Sequence, residues 1–134
     1  WGNWFNQELF GLPTKLPWGI PIAETNRPWQ YINETFFQPT FLYESLGCLL
    51  IFIFLIFLNY RWKKELDDKK SGLIIISYLT LYSLLRFNLE FIKVDATPML
   101  FGWRWPQIMS LIIITASLVY LLINYRPFKQ KIKD

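Results

Sequence analysis

Residues Leu73–Ile92 read LIIISYLTLYSLLRFNLEFI, an apolar run that carries Arg86 and Glu90 one helical turn apart. A run of about 20 apolar residues is long enough to cross a bilayer as a helix. Two further stretches approach that length, Phe41–Asn59 and Ile108–Asn124. Hydrophobic residues make up 53% of the chain and aromatics 19%. A soluble bundle can hide one such helix in its core, but three in 134 residues leave too little polar surface to cover them. The sequence therefore reads as an all-α integral membrane protein. In that setting Arg86 and Glu90 are expensive: an ionised side chain at a bilayer centre costs roughly 2.5–3.5 kcal/mol on insertion scales. Such groups persist when they are paired, when they face protein or water, or when they bind something.

The net charge is +4. Its distribution argues against a nucleic-acid partner and for a membrane topology. The stretch Tyr60–Gly72 holds Arg61, Lys63, Lys64, Lys69 and Lys70, and the tail after Tyr125 holds Arg126, Lys129, Lys131 and Lys133. Basic loops stay in the cytoplasm. That places residues 1–40 and the loop Lys93–Trp105 outside, with Lys15, Arg27, Lys93 and Arg104 spread among them. Trp103 and Trp105 suit the outer interface, and Tyr60, Trp62 and Tyr125 the inner one. There is no histidine, so neither the commonest general base nor the commonest metal ligand is present. The single cysteine, Cys48, lies inside the first apolar run and reads as a small buried hydrophobe. No metal and no cofactor are called for. There is no signal-peptide pattern. The first residue is Trp rather than Met, and an upstream portion is expected.

Along the chain, residues 1–11 read as the outer end of a preceding helix. Residues 12–39 contain Pro13, Pro17, Pro21, Pro28 and Pro39, which excludes a long helix and reads as an extracytoplasmic loop region. Transmembrane helices are predicted over 40–59, 73–92 and 106–124, with Pro106 in a first helical turn and residues 125–134 as a cytoplasmic tail. The first of these helices runs inward, the second outward and the third inward. Tyr43, Glu44, Arg86, Asn88, Glu90, Gln107 and Ser110 consequently gather at one depth, towards the outer surface, while the inner halves are almost pure Ile, Leu and Phe. Arg86, at i, i+4 from Glu90, shares a face with it. An isolated structural ion pair or a snorkelling arginine would explain those two alone, and Glu90 and Lys93 read as near enough to the surface to need no partner. The wider set favours a site at headgroup depth. A guanidinium fork suits phosphate oxygens. Glu90 can orient Arg86, and Asn3 and Gln107 can bind glycerol hydroxyls or phosphate.

Four segments in order, GNWFNQELFG at 2–11, QPTFLYES at 38–45, RFNLEF at 86–91 and LFGWRWPQIMSL at 100–111, resemble prolipoprotein diacylglyceryl transferases. The resemblance covers essentially the whole chain. It implies the three C-terminal transmembrane helices of a seven-helix bundle in the bacterial plasma (inner) membrane, with the C-terminus cytoplasmic. The implied reaction moves diacylglyceryl from phosphatidylglycerol to the lipobox cysteine thiol at the signal peptide of a preprolipoprotein, leaving a thioether and glycerol phosphate. The implied partners are those two substrates and membrane lipid. By motif, Asn3, Glu8 and Gly11 match a glycine–asparagine signature, and Arg86 and Glu90 match an essential arginine and its nearby acid. Arg86 would stabilise phosphate with Glu90 holding it. Asn3 and Glu8 would shape the headgroup pocket, Gly11 would be a close-approach or turn position, and Tyr43 and Glu44 would line the first helix. Gln38 stands where the family usually has His, Leu12 where a basic residue is common, and Lys93 where Arg is common. The family's second phosphate arginine would fall just before Trp1, and its His-Gly-Gly region lies further upstream. On that reading the 134-residue piece alone is expected to be inactive. A non-catalytic phospholipid-binding remnant of the same fold is the alternative. A transporter fits less well, because the polar groups stop at mid-membrane.

Overall fold

The computed structural model describes residues 1–62 and 68–124. Lys63 and Lys64 of the basic loop and the whole tail 125–134 lie outside the described residues. A short helix, α1 (Gly2–Asn6), ends at Gln7, which adopts a left-handed φ of 52°. Three long helices follow, α2 (Thr40–Trp62), α3 (Asp68–Leu89) and α4 (Trp105–Asn124). Membrane-compatible spans within them run over Thr40–Arg61, Gly72–Leu89 and Trp105–Ile123. At 1.5 Å per residue these are about 27–33 Å long, matched to a hydrocarbon core of about 30 Å. Large apolar side chains such as Leu50, Phe52, Ile75 and Leu122 stand exposed on them. Lipid makes that outward face cheap. α3 contacts both α2 and α4.

Between α1 and α2 the proline-rich segment folds into a small cap. Proline removes backbone donors, so only two-residue strands form: β1 (Ile20–Pro21) pairs antiparallel with β2 (Phe36–Phe37), Ile20 opposite Phe37. Their inner faces build an apolar cluster of Phe10, Ile20, Ile22 and Phe37, flanked by Tyr31, Phe41 and Val94. The Phe10 and Phe37 rings meet edge to face at 5.0 Å, a favoured aromatic geometry. Arg27 ties the loop internally, donating from Nε to the Ile22 carbonyl and from Nη1 to that of Ile32. Trp18 Nε1 donates to the Tyr43 hydroxyl at 2.7 Å and pins the cap to α2.

The apolar run in the sequence continues to Ile92, but α3 stops at Leu89. Glu90 N still donates to the Arg86 carbonyl, and two tighter turns follow. The backbone then crosses the N-terminal segment: Leu12 N donates to the Ile92 carbonyl at 2.8 Å, and Gly11 bridges Lys93. Further on, β3 (Met99–Leu100) and β4 (Trp103–Arg104) form a hairpin. Both turn residues, Phe101 (φ 51°) and Gly102 (φ 80°), are left-handed, as the tightest hairpin turn requires. This hairpin delivers Arg104 directly into the start of α4.

Candidate functional site

Glu44 lies in the second turn of α2, Arg86 in the last turn of α3, and Lys93 just beyond α3. The fold brings all three together. Arg86 Nη1 and Lys93 Nζ each lie 3.0 Å from Glu44 Oε2. Tyr82, one turn before Arg86 on the same face, donates to Glu44 Oε1 at 3.3 Å. These groups line an open recess of about 440 Å³ with Asn3, Leu9, Phe41 and Ser45. The recess sits at the end of the spans that meets the proline-rich cap.

Behind it stands a second carboxylate. Glu90 is 1% exposed. Its Oε1 accepts from Arg104 Nε at 2.7 Å, while its Oε2 is 3.5 Å from Arg86 Nη2 and has no hydrogen bond. Arg104 also donates from Nη1 to the Lys93 carbonyl at 2.7 Å and from Nη2 to the Asp95 carbonyl at 2.8 Å. Its Nη2 lies 3.5 Å from the Asp95 carboxylate. Glu44, Glu90 and Asp95 thus balance Arg86, Lys93 and Arg104. Ionised groups as deeply buried as Glu90 and Lys93 persist only when paired, and the balance explains why so many charges are tolerated together. Glu44 holds two cations on one oxygen, so an incoming anion meets a cationic pair whose neutralisation is already shared.

Among the residues singled out from the sequence, Asn3, Glu44 and Arg86 share the recess. Glu90 lies behind it with Arg104 and Gln107, beside a second opening lined also by Met99, Gly102 and Trp103. Gln107 Oε1 accepts from the Arg104 backbone N–H at 3.1 Å, which fixes the start of α4. Glu8 is exposed and accepts from Asn6 Nδ2. It borders a separate hollow with Asn26 and Asp95. Tyr43 faces Trp18. Gln38 brackets Gly11 through its backbone, its carbonyl accepting from Gly11 N at 2.7 Å. Asn88 is exposed and bonds back to the Leu84 carbonyl. One expectation is overturned: Glu90 and Lys93 are not surface groups that need no partner. The Lys93 side chain is 1% exposed on Glu44, and Glu90 is buried on Arg104. The chain turns inward after Leu89 and folds under the cap, which removes both from solvent.

Tyr82, Lys93, Asp95 and Arg104 were missed as site residues. Lys93 had a signal: it stands seven residues after Arg86, on the continuation of the same face. Arg104 lies within the segment 100–111, but nothing there places it on Glu90, because its approach depends on the hairpin.

Gly11 is a close-approach position. A β-carbon there would lie 2.6 Å from Thr40 Cγ2 and 2.7 Å from the Ile92 carbonyl oxygen. Gly11→Ala must therefore displace backbone, and overpacking of this kind typically costs about 1–3 kcal/mol. We expect a lower melting temperature in detergent with weakened docking of residues 1–12. A melt unchanged from that of the unaltered protein would count against the close approach.

Comparison with known proteins agrees with this architecture. The family model described as prolipoprotein diacylglyceryl transferase matches residues 1–123. A phosphatidylglycerol–prolipoprotein diacylglyceryl transferase from Cutibacterium acnes is 36% identical over 127 residues, covering 95% of this chain and 41% of the relative. One from Prochlorococcus marinus (strain MIT 9301) is 42% identical over 128 residues, covering 89% and 42%. Another, from Synechococcus sp. (strain CC9902), is 50% identical over 97 residues, covering 72% and 34%. The chain thus spans about two-fifths or less of the length of these relatives. No solved structure matches it. With the family model matched over nearly its whole length, and with three membrane-length helices, the chain belongs to the prolipoprotein diacylglyceryl transferase family.

Proposed function

We propose that this chain supplies one wall of a phosphatidylglycerol site, and that its complete protein transfers diacylglyceryl from that lipid to a lipobox cysteine of a preprolipoprotein. The observation that carries the reading is the Arg86 guanidinium, held on Glu44 beside Lys93 and open to a recess at headgroup depth. In the reaction the thiol sulfur attacks the glyceryl carbon that bears the phosphate ester. The carbon–oxygen bond breaks, its electron pair leaves with glycerol phosphate, and the thiol proton is lost. Negative charge builds on the departing phosphate. A preorganised guanidinium fork stabilises that charge most where water is excluded. Arg86 makes this contact, Lys93 adds a second cation and Asn3 offers a polar contact to the glycerol end. Glu44 orients Arg86, and Glu90 sits behind it. On this reading the protein lies in the bacterial plasma (inner) membrane, with the recess on the outer side and the tail cytoplasmic.

The test uses protein expressed from its complete reading frame in phosphatidylglycerol proteoliposomes with a lipobox peptide. The expected result is a peptide mass increased by diacylglyceryl, with release of glycerol phosphate. Phosphatidylglycerol binding without thioether would instead support the non-catalytic phospholipid-binding alternative.

A further inference from the structure

Two carboxylates compete for Arg86. Glu44 Oε2 holds Nη1 at 3.0 Å, and Glu90 Oε2 stands 3.5 Å from Nη2 without a hydrogen bond. Glu90 is the more deeply buried of the two, and a carboxylate there attracts any nearby cation strongly. What keeps it from capturing Arg86 is Arg104, whose Nε occupies Oε1 at 2.7 Å. Arg86 lines the recess together with Glu44, whereas Glu90 and Arg104 line the second opening. Arg104 does not line the recess and meets it only through the Lys93 carbonyl. We propose that Arg104 is a positioning residue, which by satisfying Glu90 leaves the Arg86 guanidinium turned to Glu44 and the headgroup.

The proposal rests on the reading of the recess as a phosphatidylglycerol site. Without Arg104 the cluster carries one excess negative charge, and the nearest cation able to compensate Glu90 is Arg86. Its guanidinium would move away from the recess, and phosphate affinity would fall before the chemistry changed. The carbonyls of Lys93 and Asp95 would also lose their donors. A purely structural clamp needs the whole fork of Arg104, whereas the charge role needs only a cation at Glu90. Lysine keeps the cation and loses the fork, so it separates the two.

The experiment compares Arg104→Gln and Arg104→Lys in protein from the complete reading frame. Phosphatidylglycerol is titrated into the detergent-solubilised protein, and KM and kcat for transfer are measured in proteoliposomes. We expect Arg104→Gln to weaken binding and raise KM about tenfold with a smaller change in kcat, and Arg104→Lys to stay within about threefold of the unaltered protein. Binding within about twofold for Arg104→Gln, or equal damage from both substitutions, overturns the proposal. If Arg104→Gln does not accumulate, Arg104→Lys decides. Near-normal affinity supports the charge role, and a loss as large as about tenfold refutes it. Absence of thioether from the unaltered protein sinks the transferase reading instead, while the binding titration still reports on Arg104.

Discussion

Arg86→Ala is expected to abolish transfer by the complete protein. The substitution removes the fork aimed at the recess, strips Glu44 of one cation and leaves Glu90 with Arg104 alone. Loss of one preorganised group that stabilises transition-state charge typically costs about 10²–10³ in rate. A guanidinium acting on a full phosphate charge lies at the upper end or beyond it. Arg86→Lys should recover little, because an ammonium cannot contact Glu44 and two phosphate oxygens in one plane. The measurement is thioether formation per unit of membrane-inserted protein, alongside rescue of a strain depleted of its own transferase. If Arg86→Ala sustained near-normal transfer, the Arg86 contacts would be no more than a structural ion-pair network.

Glu44→Ala should be strongly destabilising. It leaves Arg86 with only its 3.5 Å contact to Glu90 and removes the carboxylate from Lys93, which has almost no access to water. Breaking a buried pair by deleting one partner costs about 3–5 kcal/mol. The lower part of that range applies, because Glu44 is partly open to the recess. Glu44→Gln keeps an acceptor for one cation but no charge, so it should fall between alanine and the native residue. Thermal unfolding in detergent reads the effect directly, and transfer should fall as well because Arg86 loses its anchor. Melting of Glu44→Ala indistinguishable from that of the unaltered protein would mean that Lys93 finds another partner, and the shared-carboxylate picture would fail.

Much of the architecture was legible because membrane spans announce themselves by length and composition. Leu73–Ile92 and its two companions needed no tertiary information. The common depth of Glu44 and Arg86 was equally readable, since it follows from alternating helix direction. Rotation about the helix axes was not. Sequence alone could not say that Glu44 rather than Glu90 makes the shorter contact with Arg86. Nor could it say that Gln107 and Tyr43 turn to Arg104 and Trp18 instead of the recess. The cap was opaque for a different reason. Its strands are two residues long and its order comes from long-range pairing, which leaves no periodic trace. Arg104 reaches Glu90 through a hairpin whose first turn residue is Phe101, a side chain seldom found at positive φ. No local rule would have placed the arginine there.

The long Arg86–Glu90 contact acquires a different meaning when the order of synthesis is considered. Its partners in the finished cluster come from elsewhere: Glu44 lies 42 residues before Arg86, and Arg104 lies 14 residues after Glu90. A ribosome delivers α3 before the hairpin that carries Arg104. During that interval Glu90, four residues on, is the acidic side chain nearest to Arg86 along the chain. The i, i+4 spacing keeps opposite charges side by side on the nascent segment until the hairpin brings Arg104 to Glu90. In the folded protein the two groups remain 3.5 Å apart.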